Sequence, residues 1–315
     1  NSSGIFIGHK NTLASFGAED RLEHILTVLR HEGFHQFAAT FIGRQIPIWL
    51  NEGMAVFFEN SEWVGGVLKI GLVPVGRLRG LKQARAGGRF IRLSKMLLMS
   101  DRDWSDNVRT GADREGLQYA EAWSMVHFLV YGDKGRYRRR LESYIRKVAD
   151  GKTGERAFRE VFAGDVKGFE KRWLAYIDGL KPADYIKCRF KLMVLVQLLD
   201  ATLPLKDIQA FYDAAIAQKL GKWSFLSPDV PEIRSDDIKA VKNLFRCPND
   251  RQAAKPYSYE LERKGKSTDI ICRHHHGLIY RATLAKNEKS GRMEPRILTL
   301  PAESGKTAAR KTRKR

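Results

Sequence analysis

The sequence has few cysteines and no long apolar run, and both absences narrow what the protein can be. It contains only three cysteines, Cys188, Cys247 and Cys272, which are too few and too scattered for a disulfide scaffold. One bridge, for instance between Cys247 and Cys272, or no bridge at all fits this spacing, so the compartment stays open. No apolar run reaches the roughly 18 residues of a membrane-spanning helix, and we expect no membrane span in this chain.

The sequence also lacks an initiator methionine, since it begins at Asn1. We therefore expect that an upstream segment precedes it and that the first domain is truncated at its N-terminus. A signal peptide or an anchor in that segment would not be visible here.

Acidic residues are too few to balance the basic ones. The chain has 56 Lys and Arg against 36 Asp and Glu, a formal net charge of +20. The last ten residues, 306-KTAARKTRKR-315, form a basic tail that we expect to be disordered. Basic charge can draw a protein to nucleic acid, but the basic patch with interleaved aromatic residues that dedicated nucleic-acid readers use is not evident. A nucleic-acid partner is an alternative, and a solvated basic surface is favoured.

The length and the hydrophobic content of 43% suit two folded domains. Helical periodicity and stop signals predict helices over 19–42, 47–60, 116–131, 135–149, 154–162 and 167–180. Residues 63–79 predict a short hairpin broken by glycines, and a loop-rich basic stretch follows to about Asp113. The pair Lys181-Pro182 marks the domain boundary.

Residues 183–305 predict a small accessory domain of unknown role. Helical patterns over 184–200 and 205–220 are followed by strand-like segments at 257–264, 269–284 and 294–300. The expected fold class of the whole chain is α+β.

The residues most indicative of chemistry lie in 28-VLRHEGFHQFAATFIGRQIPIWLNEGMAVFFEN-60. His31 and His35 are four residues apart in a helical pattern, so both imidazoles project from one face and can reach one ion. Glu32 lies beside them, where its carboxylate can take a proton from a metal-bound water, as in the H-E-x-x-H motif. Glu52 returns near the start of the next helix and can supply a third ligand, which is the usual number in catalytic zinc sites.

The pattern HEGFH followed by PIWLNEGMAVFFE resembles the gluzincin metallopeptidases. It most resembles their bacterial peptidase MA-like or DUF1570 group, in which a W-L-x-E-G-x-A segment supplies the glutamate ligand. The resemblance extends over residues 1–180, because 118–145 and 157–180 look like the helical tail of that group. It implies an α-rich zincin-like metallopeptidase domain with a short N-terminal sheet at 1–182.

The resemblance also implies a function. One zinc ion would be held by His31, His35 and Glu52, with Glu32 as the general base that hydrolyses a peptide or protein substrate. Gluzincin aminopeptidases stabilise the oxyanion with a tyrosine downstream of the glutamate ligand, and Tyr119 stands at a comparable distance. A G-x-M-E-N signature is absent, so exopeptidase activity is not implied. An extracytoplasmic location follows from the resemblance alone.

Two other functions stay open. The protein could be a catalytically inactive zinc-binding member of this group that binds a partner, or a basic nucleic-acid-associated protein. A second metal site is a weaker hypothesis: His274 and His276 alternate with Cys272 on one strand face, with Cys247 as a further ligand. A polar strand end is favoured there.

Other residues near the motif have ordinary interpretations. We expect Glu59 to be an exposed helix carboxylate rather than a hydrogen-bond partner of a zinc-ligating histidine. Trp123 and His127 are expected to pack in the core. Gly33 is expected to allow a neighbouring strand to approach the first helix.

Overall fold

The structure, a computed structural model, describes residues 4–8, 10, 12–15, 22–43, 45–64, 67–111, 116–162, 164–199, 206–227, 230–247, 255–264, 267–275, 278–286 and 293–301. The basic tail at 306–315 lies outside the described residues. The chain divides into two compact units, Asn1–Glu62 with Ile70–Pro182, and Trp63–Lys69 with Ala183–Arg315. The fold is helix-rich with small antiparallel sheets, so the class is α+β, as predicted.

The first unit consists of one strand pair and nine described helices. They are β1 (Gly4–Ile7), β2 (Thr12–Ser15), α1 (Leu22–Phe41), α2 (Ile48–Glu59), α3 (Val75–Ala86), α4 (Leu93–Leu98), α5 (Asp101–Arg109), α6 (Leu117–Gly135), α7 (Arg138–Ala149), α8 (Gly154–Val161) and α9 (Val166–Gly179). Strands β1 and β2 pair antiparallel, and both pack against α1. Helix α6 runs through the core, where most of its side chains are buried.

Helices α2 and α6 approach each other closely at Gly53. A Cβ built on Gly53 would lie 2.6 Å from the carbonyl oxygen of Ala122, closer than carbon and oxygen can approach without a shift. Glycine is therefore required here by the neighbouring backbone. Since Glu52 precedes Gly53, this contact also determines where the Glu52 backbone lies.

The structure has helices α3, α4 and α5 where the sequence analysis predicted a hairpin up to residue 79 and loops beyond it. That prediction is wrong for these three segments. In α3, the buried Leu78, Leu81 and Ala84 recur every three residues, but four basic residues and Gly80 obscure this periodicity in the sequence. In α5, Ser100 and Asp103 form a capping box, a start signal that can be read from sequence.

The buried face of α1 departs from the apolar periodicity of its sequence. Phe34 and Ala38 are buried, whereas Phe37 is 49% exposed although it fits the apolar periodicity. Among the described residues, a Cβ on Gly33 would meet nothing within 4 Å, so the expected strand approach is not made at Gly33. The glycine that allows β1 and α1 to approach closely is Gly4 of the strand. A Cβ on Gly4 would lie 2.2 Å from Val28 Cγ1 of α1.

Trp123 and His127 of α6 are buried in the core, as predicted. His127 Nε2 donates to the carbonyl oxygen of Gly71 at 3.1 Å, and its Nδ1 accepts from the hydroxyl of Tyr176 at 2.8 Å. These roles correspond to the neutral imidazole with its proton on Nε2. Burial is the dominant influence and lowers the pKa of His127 to about 4, although the hydrogen bond to Gly71 opposes it.

This histidine makes the first unit acid-sensitive. In the unfolded chain its pKa returns to about 6.5, so between pH 6.5 and 4 the unfolded state binds more protons than the folded state. The stabilisation is complete above pH 6.5 and falls by about 3 kcal/mol as the pH drops to 4. Between pH 6.5 and 4, we expect the unfolding free energy of His127→Gln to fall by about 3 kcal/mol less than that of the wild type. Urea unfolding followed by tryptophan fluorescence would measure both. Identical pH dependence in both proteins would contradict this.

The second unit contains three described helices and eight strands. They are β3 (Glu62–Val64), β4 (Val67–Lys69), α10 (Asp184–Leu199), α11 (Ile208–Ile216), β5 (Ser224–Ser227), β6 (Val230–Arg234), α12 (Ile238–Leu244), β7 (Glu260–Lys264), β8 (Ser267–His275), β9 (Leu278–Lys286) and β10 (Met293–Pro301). Four of these strands form an antiparallel sheet in the order β10-β9-β8-β7. Helix α10 packs against β8, β9 and β10 and buries Leu192, Leu195 and Val196.

Helix length and hydropathy bear on the membrane prediction. Among the described residues, no helix is long and apolar enough to cross a membrane.

Candidate metal centre

Two helices bring together the three side chains that the sequence predicts as metal ligands. His31 and His35 lie one turn apart on α1, with ring centroids 4.9 Å apart. Glu52 reaches them from α2. Its Oε2 lies 3.5 Å from His31 Nε2 and 3.7 Å from His35 Nε2, and ligand atoms of all three residues lie within 4.8 Å of one another.

These separations fit one small cation. Donor atoms placed tetrahedrally about 2.0–2.1 Å from a zinc ion lie about 3.4 Å from each other, close to the two measured distances. Two imidazole nitrogens and one carboxylate oxygen are also a donor set that zinc accepts. The donor set and the two distances from Glu52 therefore fit a zinc ion.

The outer nitrogens of both imidazoles already have partners on α2. His31 Nδ1 donates to Glu59 Oε2 at 3.0 Å, and His35 Nδ1 donates to Asn51 Oδ1 at 3.1 Å. Protonation at Nδ1 leaves Nε2 as the atom that faces Glu52. Such outer contacts orient imidazoles that bind metals. The expectation that Glu59 is an exposed helix carboxylate is therefore wrong.

Arg77 of α3 completes this arrangement. Its Nη2 donates to Glu59 Oε1 at 2.8 Å, so the Glu59 carboxylate bridges Arg77 and His31. Burial would raise the pKa of Glu59, but the hydrogen bond from His31 and the charge of Arg77 hold it below its ordinary value.

The carboxylates also change the basicity of His31. Burial lowers its pKa, but the hydrogen bonds and charges of Glu52 and Glu59 outweigh burial and raise the pKa to about 9. In the metal-free protein His31 is thus protonated at neutral pH. The excess negative charge that holds this proton is the same charge that favours a metal cation, and metal binding would release the proton.

The three side chains face an open cavity of about 550 Å³. Its wall includes Gly4, Ile5 and Phe6 of strand β1, and Asp101 at the start of α5. The three ligand candidates are largely but not fully buried, with side-chain exposures of 18% for His31, 14% for His35 and 13% for Glu52. A molecule entering the cavity can therefore reach the Nε2 atoms and the Glu52 carboxylate.

The two residues predicted to be catalytic line this same cavity. Glu32 follows His31 on α1, and Tyr119 lies in the first turn of α6. The ring of Tyr119 meets that of Trp104 edge-on, with centroids 5.1 Å apart, and this contact orients its phenol group.

Sequence reasoning missed Asn51, Arg77 and Asp101 as residues around this cavity or its ligands. Asn51 precedes Glu52, and only the α1–α2 packing brings it to His35. Arg77 could not be placed because α3 was predicted as part of a hairpin. Asp101 carried no signal beyond its position in the capping segment of α5.

Residues 24–152 match the family described as "Protein of unknown function (DUF1570)". This segment contains all five predicted site residues, and the match supports the DUF1570 group. The description assigns no activity. Comparison with curated proteins and with solved structures gives no match.

Proposed function

We propose that the protein is a zinc-dependent peptidase of the gluzincin type. The observation that carries this proposal is the convergence of His31, His35 and Glu52, with both imidazoles oriented from α2, on a cavity that Glu32 also lines. A buried structural site would not need an open cavity or a carboxylate beside its ligands.

The two Nε2 atoms and Glu52 Oε2 would hold a zinc ion, which would supply Lewis acidity at this position. Glu59 and Asn51 keep the imidazole rings in place through their hydrogen bonds to Nδ1 of His31 and His35. Glu32 accepts the proton of the attacking water on its carboxylate and passes it to the leaving amine.

Tyr119 and β1 act on the substrate. The phenol of Tyr119 donates a hydrogen bond to the carbonyl oxygen as negative charge develops on it. The extended backbone of Gly4–Ile7 along the cavity wall offers peptide groups to a substrate in extended conformation. The cavity thus suits a peptide or an unfolded protein segment.

Zinc-dependent hydrolysis is the direct test. We expect protein purified without a chelator to cleave members of a peptide library, to lose this activity in a chelator, and to regain it when zinc is added. Zinc that binds at this site without any cleavage would support the inactive partner-binding protein instead. Cleavage that is unaffected by a chelator would contradict the proposal.

Glu59→Gln tests the outer contact to His31. The amide cannot supply the charge that orients and polarises the imidazole, so we expect the zinc concentration that restores half of the activity to rise about 10- to 100-fold. Glu160→Gln is a matched control, because Glu160 forms ion pairs with Lys147 and Lys152 and does not contact the site. An equal effect of both substitutions would refute the role of Glu59.

A further inference from the structure

All three cysteines of the chain meet inside the second unit. Cys188 lies on α10, Cys272 on β8, and Cys247 three residues after the end of α12. The Sγ atom of Cys188 lies 3.3 Å from that of Cys247 and 3.4 Å from that of Cys272. These distances exceed the roughly 2.05 Å of a disulfide bond, so no disulfide joins the three residues.

The cluster is fully enclosed and its backbone is held in place. Exposure is 0% for Cys188 and Cys272 and 3% for Cys247. The Cys247 N–H donates to Ser258 Oγ at 2.9 Å, and the Ser258 N–H donates to the Phe245 carbonyl oxygen at 2.8 Å. These hydrogen bonds hold the segment that carries Cys247 against the segment that precedes β7. The Cys247 sulfur therefore has a defined position.

Two polar side chains lie beside the sulfurs. The hydroxyl of Tyr259 interacts with Cys188; the residue is 2% exposed, and the hydroxyl has no hydrogen bond of ordinary geometry to the described residues. Lys191 lies near enough to Cys188 and Cys247 for its ammonium to attract their thiolates, although burial lowers the pKa of Lys191. Lys191 Nζ donates hydrogen bonds to Asn243 Oδ1 at 3.0 Å and to the Arg246 carbonyl oxygen at 2.8 Å.

We propose that Cys188, Cys247 and Cys272 bind a structural zinc ion as thiolates. Sulfur atoms about 2.3 Å from a tetrahedral zinc ion lie about 3.8 Å apart, so the Cys188 sulfur needs to separate from each of the other two by only a few tenths of an ångström. The described residues supply three thiolates for this ion, and a tetrahedral site takes one further ligand beyond them. Three thiolates, a divalent cation and the Lys191 ammonium carry no net charge, which suits a buried site. The Tyr259 hydroxyl then donates a hydrogen bond to the Cys188 sulfur.

Metal binding at this cluster would require the thiols to lose their protons. Without a cation, the adjacent thiols of Cys247 and Cys272 together with burial raise the pKa of Cys188, so the thiol keeps its proton. A thiophilic cation displaces such protons and is the species that binds a cluster of sulfurs most strongly. The site would join α10, the end of α12 and β8, which are far apart in sequence.

This hypothesis replaces the weaker one that paired Cys272 with the histidines at 274–276. A register shift separates Cys272 from His275 in β8, so strict alternation does not apply there. The histidine side chains lie outside the described residues. The third sulfur comes instead from Cys188, which sequence analysis did not connect with the other two.

The test measures the metal bound to the full chain after the His31–His35–Glu52 site has been disabled by substitution. In His35→Ala, we expect one equivalent of zinc to remain after dialysis, and cobalt added in its place to give the intense near-ultraviolet charge-transfer absorption of cobalt thiolates. In His35→Ala combined with Cys188→Ser, both the zinc and this absorption should be lost. Ala282→Ser, combined with His35→Ala, is the matched control, because it introduces a hydroxyl at a 0% exposed position of the same core and should retain both signals.

Three results would overturn the proposal: no zinc in His35→Ala, cobalt binding without the thiolate absorption, or equal zinc in the double variant containing Cys188→Ser. If that double variant fails to fold, the cobalt spectrum of His35→Ala alone decides. The outcome is independent of the peptidase proposal, since a cysteine site can hold zinc in a protein that cleaves nothing.

Discussion

Glu32→Gln is expected to lower kcat for peptide hydrolysis by about 100- to 10,000-fold, while the zinc content stays that of the wild type. Glutamine has nearly the same shape as glutamate but cannot accept a proton from the attacking water. Glu32 is next to the proposed ligand His31 in sequence, yet it is not among the three residues whose donor atoms converge. Steady-state kinetics with a cleaved peptide, paired with elemental analysis, would measure both quantities.

Asp101→Asn provides the matched control for this loss of charge. Asp101 lines the same cavity, and the substitution likewise exchanges a carboxylate for an amide. We expect it to change kcat by less than about tenfold, because Asp101 has no assigned role in proton transfer. A Glu32→Gln protein that cleaves as fast as the wild type would disprove the general-base assignment. Equal losses in both variants would point to the charge of the cavity rather than to proton transfer.

His35→Ala is expected to lower the zinc content by one ion per chain and to abolish hydrolysis. It leaves only His31 and Glu52 as protein ligands, fewer than a catalytic zinc site uses. It also removes the stabilisation by bound metal, which is about 2.7 kcal/mol when free zinc is 100 times its dissociation constant. Elemental analysis and thermal unfolding with and without zinc would measure the two effects.

A histidine elsewhere in the same unit controls for nonspecific loss. His127→Gln also removes an imidazole, but His127 is buried against Gly71 and Tyr176 and is absent from the cluster of donor atoms. That variant should keep the full zinc content. Unchanged zinc in His35→Ala would mean that this cluster does not bind the ion, and the basic surface would then become the better indication of function.

Parts of the site could be predicted because they depend on local spacing. A spacing of four residues from His31 to His35 suffices to place both imidazoles on one face of any helix. The position of Glu52 is different, because it depends on how α2 packs against α1. Only the resemblance of its surrounding segment to a known family linked it to the histidines.

Other parts depend on contacts that no local pattern encodes. Glu59 was expected to be exposed because its partner Arg77 was not placed in a helix. The basic residues of α3 obscure the helical periodicity of that segment. The cysteines are 59 and 84 residues from Cys188 along the chain, so their contact follows only from how α10 and α12 pack with the sheet. Phe37 shows the reverse error, since it matches the apolar periodicity of α1 but lies half exposed.

The backbone contact between Gly53 and Ala122 has a consequence for how this cavity can vary. Gly53 adjoins Glu52 on α2, and Ala122 lies three residues after Tyr119 on α6. A Cβ on Gly53 would also lie 2.9 Å from Val126 Cγ2, so α6 leaves no room for a side chain at this point of α2. The contact therefore limits how far the backbones that carry Glu52 and Tyr119 can shift relative to each other. Side chains elsewhere on the cavity wall are not under this constraint, so the shape and polarity of the wall can vary while the two helices keep their contact.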